Sequence, residues 1–544
     1  MATASEMIST FTKGYTFTGP SIALGAAIID GQVHPEAQIS LPLGMMNRHG
    51  LVAGATGTGK TVTLHMIAEQ LSTAGVPVFM ADIKGDLSGL ATAGTGSEKL
   101  LARTSALGQQ WVSKAFPVEF LALGGDGNGV PVRATITSFG PILLSRVLDL
   151  NETQESSLQL VFHYADTKGL ELYDLKDLRA VIQFLTSDEG KADLTELGGL
   201  SKATAGVILR ELITLDAQGM SKFFGMPEFD TAELLRTAPD GRGVITCLEL
   251  PSVQDKPLLF STFLMWLLAD LFRDLPEVGD LDKPKLVFFL DEAHLLFNGA
   301  SKAFLNAITQ TVRLIRSKGV GIFFVTQTPK DVPADVLAQL ANRVQHALRA
   351  FTPDDAKALK ATVSTFPVSD YNLEEVLTSA GIGEAVVTVM NENGAPTPVA
   401  LTRLRAPESV MGPSSDDLVK AAVAASALLP AYGTEQDPIS AYEKLQAAEA
   451  HAAPPATGPA VGAPLPPPPP VQLPGDGGIG FGLPTGVPGT VAQPSQGSGM
   501  AGDIMGAIGG ALGGGVKSMI RSMGSSLGRN LMRDIFGTAT RRRR

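Results

Sequence analysis

Between residues 48 and 405, short apolar runs alternate with longer stretches whose apolar positions recur at helical spacing. Leu51–Ala53, Val78–Asp82, Val244–Leu250, Leu286–Leu290 and Gly321–Gln327 are brief, almost uniformly apolar in the middle, and run into polar residues. Such runs predict strands covered on both faces, as in a parallel sheet. Between them, Val62, Leu64, Met66, Ile67 and Leu71 share one helical face, and Leu258–Phe272 and Lys302–Ile315 have the same periodicity. Ser21–Ile29 and Ala37–Leu43 predict β-pieces that lean on this core. Arg343–Ala350 and Gly383–Met390 read as further strands, and Pro396–Arg405 as one more that reaches towards a neighbouring subunit. The fold class is α/β with a mainly parallel sheet.

The pattern changes twice. Gly140–Leu150, Thr153–Thr167, Leu175–Thr186 and Lys202–Asp216 are helical in spacing and predict a helical insertion over 138–238. It separates a first core part (47–137) from a second (239–410), with a short β-rich segment (1–46) before and a helical extension (411–451) after. Residues 452–499 are rich in proline, glycine and alanine, including Pro466–Pro470, and predict a disordered linker. In 500–544, Ile504, Ile508, Leu512, Val516 and Ile520 recur every fourth residue, but Gly509, Gly510 and Gly513–Gly515 interrupt them. At about 1 kcal/mol per glycine this half does not hold a helix alone. Lys517, Arg521, Arg529, Arg533 and Arg541–Arg544 make the second half basic. Four roles fit such a tail: binding an anionic membrane surface, joining subunits, binding nucleic acid, or packing weakly on its own ring.

The chemistry concentrates where strands end. Gly54-Ala55-Thr56-Gly57-Thr58-Gly59-Lys60-Thr61, followed by Val62, fits G-x-x-x-x-G-K-[ST] between a strand and a helix. Glycines let successive backbone N–H groups face phosphate oxygens, and the helix dipole adds positive potential behind them. Lys60 then reaches the β- and γ-phosphates of a nucleoside triphosphate such as ATP, and Thr61 holds Mg²⁺. Asp291 and Glu292 close an apolar strand, which suits Asp291 to the metal and Glu292 to the attacking water. Gln327 ends the next strand and suits a γ-phosphate sensor, with an amide that satisfies strand-end backbone as the alternative. Asp82 faces the nucleotide, orders its loop or caps a helix, and His294 reads as structural.

Bulk properties narrow the class. A length of 544 residues at 44% hydrophobic content describes a large globular protein. A net charge of −11 argues against a wholly basic nucleic-acid coat but not against a charged channel. One cysteine, Cys247, excludes an intramolecular disulfide and fits a reducing compartment. With no apolar signal core at the N-terminus and no run of about 20 apolar residues, cytoplasmic residence is expected.

Several segments together resemble one family. RHGLVAGATGTGKT (48–61), ADIKGDLSGL (81–90), GVPVRATITSFGPILLSRVLDLNETQ (129–154), LDKPKLVFFLDEAHLLF (281–297) and the stretch 312–353 are similar to HerA/FtsK-superfamily P-loop ATPases, specifically the HerA-like helicase family that includes YjgR. The resemblance covers roughly 10–410. It implies a RecA-like core, a homo-oligomer in the form of a hexameric ring, and ATP-driven movement of DNA or another polymer. It makes Lys60 and Thr61 the Walker A pair, Asp291 and Glu292 the Walker B pair, and Gln327 the sensor. Arg313 and Arg316 match arginines that reach a neighbour's γ-phosphate, with plain surface arginines as the alternative. Residues 15–45 stand where archaeal relatives carry a β-barrel, so docking of a nuclease partner through such a barrel is in doubt. Three functions follow as expectations: a DNA translocase or helicase, an ATPase acting on protein, and a nucleotide-dependent scaffold whose tail binds membrane or partner.

Overall fold

The computed structural model describes residues 3–452 apart from 195–197, 251–256, 299 and 301. The linker expected over 452–499, beyond its first residue, and the tail over 500–544 lie outside the described residues. The strands are β1 Ser21–Ile29, β2 Gln32–Pro42, β3 Gly50–Ala53, β4 Val78–Asp82, β5 Val118–Leu123 and β6 Val130–Val132. They continue with β7 Ile245–Glu249, β8 Leu286–Leu290, β9 Val320–Thr326, β10 Asn342–His346, β11 Glu384–Thr388 and β12 Ala400–Leu404.

All lie in one sheet, in the order β2-β1-β12-β11-β10-β3-β9-β8-β4-β7-β5-β6. Every pair from β10 to β6 is parallel, and every pair from β10 out to β2 is antiparallel. In β3, β4, β8 and β9 every residue is buried, which is what helices on both faces demand. Period-two alternation sorts their side chains between two cores. Phe79 and Phe288 point to the face packed by Phe263 and Trp266 of the helix Pro257–Asp274. Met80, Phe289 and Phe323 point to the other, against Leu64 and Ile67 of the helix Lys60–Thr73.

The helices Pro141–Val147, Glu152–Lys168, Leu175–Thr186 and Lys202–Ala217 follow β6 and share the core of Phe263 and Trp266. The chain then doubles back, and the helix Ala441–Ala452 packs along Leu175–Thr186. Arg133 is 5% exposed and donates to the Tyr432 carbonyl at 3.2 Å. Pro396–Arg405 departs from expectation: β12 sits between β11 and β1 of its own chain and does not reach outward. A strand with two open edges is completed most cheaply by neighbours already tethered to it. An N-terminal helix, Ala4–Gly14, was not anticipated. Its signal is the capping box in which Glu6 N–H donates to Thr3 Oγ1 at 3.3 Å and Thr3 N–H to Glu6 Oε2 at 2.7 Å.

His49 ties β3 to β9: its Nδ1 accepts from the Ile322 N–H at 3.0 Å, and its backbone is left-handed (φ +59°). Burial, with the charges of Arg316 and Arg48 adding to it, holds the imidazole down to about 4. The unfolded chain protonates this ring near pH 6.5, so its share of stability is full above that and is lost as pH falls towards about 4. His49→Asn keeps an acceptor and tolerates positive φ. The expected outcome is a parent-to-variant stability difference that shrinks by up to about 3 kcal/mol across that window, read from denaturant melts at several pH values.

Candidate nucleotide-binding site

The loop after β3 is built to leave its amides pointing outward. Gly54 N–H donates to the Thr326 carbonyl at 3.2 Å and Ala55 N–H to that of Ala347 at 2.8 Å, which pins the loop's start across β9 and β10. Thr58 closes a turn onto the Ala55 carbonyl through its N–H at 3.3 Å and its hydroxyl at 2.7 Å. Gly57 (φ +80°) and Gly59 (φ +112°) take left-handed conformations that side chains disfavour. Gly54 has a second constraint, since a Cβ there would lie 2.4 Å from His346 Cβ. The helix Lys60–Thr73 then starts at Gly59 with no side-chain cap and no acidic residue in its first turn, so its N-terminal N–H groups suit an anion. Thr61 and Val62 lie in that first turn.

Lys60 is 9% exposed, and its Nζ donates to the carbonyls of Gly54 at 2.7 Å and Ala55 at 3.3 Å. Burial pushes its ammonium below the usual lysine range, while Glu292 and Asp291 pull the other way. Lys60 therefore stands within electrostatic reach of both acids.

Asp291 and Glu292 follow β8, one strand removed from β3 across β9. Glu292 turns the chain with a left-handed backbone (φ +46°), and the next N–H, of Ala293, donates to the Val325 carbonyl at 2.8 Å. Asp291 is 4% exposed, and burial raises its carboxyl to about 6 despite the nearby Lys84 ammonium. Glu292 Oε1 is ion-paired with Lys84, and Glu292 Oε2 lies 3.2 Å from His294 Nδ1 without hydrogen-bond geometry. Burial opposes ionisation of Glu292, but Lys84 outweighs it and holds the carboxylate below the ordinary range. Asp82 serves its own loop: it accepts from the N–H groups of Gly85, Asp86 and Leu87 at 2.7, 3.2 and 2.8 Å.

Gln327 is exposed at the end of β9 and lines a cavity of about 240 Å³ with Ala55, Thr56, Leu348, Arg349 and Leu359. Asp331 steadies this strand end by accepting from Thr326 Oγ1 at 2.7 Å and Thr328 N–H at 3.1 Å. The structure thus gathers Gly54–Val62, Asp291, Glu292 and Gln327 at one edge of the sheet. Arg313 and Arg316 are exposed at the opposite edge, before β9 begins. Sequence reasoning missed Lys84, His346 and Arg349. Lys84 lies inside Asp82-Ile-Lys-Gly-Asp86, where a lysine two places past a buried strand end was the available signal.

A magnesium-bound triphosphate fits these residues. The buried Glu292 Oε2 has no hydrogen-bond partner among the described residues, and Asp291 is a buried carboxylate with an elevated proton affinity. Among the described residues no group of three or more His, Cys, Asp or Glu is arranged to hold a metal. Mg²⁺ commonly takes one or two carboxylates and completes its shell with phosphates and water.

A glycine loop between a buried parallel strand and a helix, facing an acidic strand end two strands away, defines a RecA-like P-loop nucleotide-binding protein. The family profile described as Helicase HerA-like C-terminal matches residues 28–544, and the chain belongs to that family. Similar solved structures include an unbound form of the bacterial conjugative coupling protein TrwB, at 15% identity over 75% of this chain and 95% of that one, TM-score 0.47. The same coupling protein with ADP and Mg²⁺ aligns at 16% identity over 73% and 97%, TM-score 0.46. VirB4 of Thermoanaerobacter pseudethanolicus aligns at 15% identity over 71% and 97%, TM-score 0.44. No curated protein matches the chain. No helix among the described residues is long and apolar enough to cross a membrane.

Proposed function

We propose that this chain is an ATP-hydrolysing motor of the HerA/FtsK type that works as a homo-oligomeric, hexameric ring and moves along or unwinds duplex DNA. The observation that supports the ATPase reading is the placement of the glycine loop and the buried Lys60 at the same end of the parallel sheet as Asp291 and Glu292, with only β9 between their strands. Lys60 and the first-turn amides bind the β- and γ-phosphates of ATP. Thr61 and Asp291 would hold Mg²⁺, which neutralises charge on the same phosphates when bound. Glu292 accepts a proton from water as the water oxygen bonds to the γ-phosphorus and the bond to the β–γ bridging oxygen breaks, releasing ADP. Gln327 orients that water. One P-loop per chain leaves the transition state short of a further cation, which a ring supplies from the next subunit through Arg313 or Arg316.

DNA as the polymer rests on family membership. A cytoplasmic location is supported by the single cysteine, Cys247, which is buried and free. The tail that begins near residue 500 is assigned to a membrane surface or partner by its basic composition.

The test is ATP turnover with and without duplex DNA on a sample whose subunit number is measured by mass. Stimulation is expected, together with its steep loss between about 50 and 200 mM salt as counterions compete for the phosphate contacts. Turnover that ignores DNA in an assembled ring would transfer the motor to a protein substrate, the second reading. A chain that binds nucleotide but barely hydrolyses it with any polymer would be a scaffold.

A further inference from the structure

We infer that Lys84 is a positioning residue for the hydrolysis proposed above: it holds Glu292 away from water until a triphosphate draws the lysine off. The inference rests on the ATPase reading and adds to it a residue that neither the motifs nor the family match assigns.

Register brings the two side chains together. β4 and β8 pair in parallel with Ala81 opposite Leu290, so the residues just beyond each strand end share one corner of the site. The loop after β4 cannot swing freely, because Asp82 (1% exposed) accepts three of its backbone N–H groups and Gly85 makes a left-handed turn (φ +76°). That fold aims Lys84 at Glu292, whose carboxylate it meets in a close ion pair.

The two partners differ in freedom. The Glu292 side chain is 9% exposed and that of Lys84 is 45% exposed. A lysine is a compact charge on a flexible four-carbon stem, so the half-exposed partner is the one that can leave. While it stays, one carboxylate oxygen of Glu292 is occupied and the other lies against His294.

Electrostatics supplies the trigger. Lys84 follows β4 and Lys60 follows the loop after β3, so both stand at the same end of the parallel sheet. Both are satisfied internally in this structure, Lys60 by loop carbonyls and Lys84 by Glu292. A triphosphate carries several negative charges and offers both lysines a stronger acceptor than they now have. Its arrival draws Lys84 off in only part of the complexes, about a tenth to a third of them, and only in those is Glu292 free to take a water. The ion pair is partly exposed, so breaking it requires only a modest free energy, within what one phosphate contact supplies.

The experiment is steady-state ATP turnover by the full chain without added polymer, for the parent, Lys84→Met, Lys84→Gln and Lys84→Arg, with binding of a fluorescent ATP analogue measured alongside. Removing the cation with Met or Gln is expected to raise kcat by about three- to tenfold, the effect of losing one half-exposed ion pair, with KM changed less than about twofold. Lys84→Arg, which restores a cation beside Glu292, is expected to bring the rate back down towards the parent value. An unchanged kcat in Met and Gln variants that melt like the parent would make the pair merely structural and overturn the inference. A fall of about tenfold or more, rescued by Arg, would overturn it in favour of a cation serving the transition state. Failure of the parent itself to bind the analogue would sink the ATPase reading and this inference together. Binding and hydrolysis by the parent, with neither variant faster, would sink this inference alone.

Discussion

Glu292→Gln is expected to bind ATP about as tightly as the parent and to hydrolyse it about 10²- to 10⁴-fold more slowly, the usual contribution of a positioned general base. The substitution is nearly isosteric, so the left-handed turn at residue 292 and the Ala293-to-Val325 hydrogen bond keep their geometry. It removes the carboxylate proposed to accept the water's proton. Binding is expected to persist because the groups proposed to hold the phosphates, Lys60 and the first-turn amides, keep their places. Loss of the ion pair with Lys84 leaves that lysine free for phosphate, so affinity is more apt to rise than to fall. Single-turnover hydrolysis and equilibrium binding separate the two effects. Hydrolysis at the parent rate would show that Glu292 is not the base.

The second large effect concerns the arginines. Arg316→Ala is expected to lower turnover by about 10³-fold in assembled rings, the scale of an arginine finger. β9 has seven residues, so at about 3.3 Å each Arg316 lies roughly 20 Å from the strand end where Gln327 begins. It cannot serve the P-loop of its own chain. It lies near Arg48 and Asp280, and partial loss of solvent together with the Arg48 charge lowers its own proton affinity. Mixing inactive Arg316→Ala chains with inactive Glu292→Gln chains should restore part of the activity. Some interfaces then pair an intact Glu292 on one subunit with an intact Arg316 on the next. If mixed rings form and no ratio recovers turnover, the finger is not Arg316, and Arg313→Ala becomes the variant to mix.

Much of the core was readable because parallel strands buried on both faces leave unambiguous apolar runs. Val78–Asp82 and Lys302–Ile315 end where their apolar patterns end. The glycine loop was equally legible, because phosphate contact by backbone amides forces glycine at set spacings. The N-terminal helix was harder, since Ala4–Gly14 buries only Phe11 and its apolar face is narrow. β12 was assigned outward because nothing local says which sheet edge a late strand will join. Arg133 was legible as a charge but not as a buried donor to Tyr432, a partner 299 positions away.

By itself the sequence determined the chemistry available to this protein: a phosphate loop, two adjacent acids at a strand tip, and an amide one strand on. Those assignments follow from local rules of backbone conformation and side-chain type. Only the tertiary structure decided which groups meet. It set β9 between β3 and β8, brought Lys60 to the same end of the sheet as the acids, paired Lys84 with Glu292, and sent Arg313 and Arg316 to the far edge. Strand order and register create these encounters, and both arise from packing between segments hundreds of residues apart, where no local pattern records them.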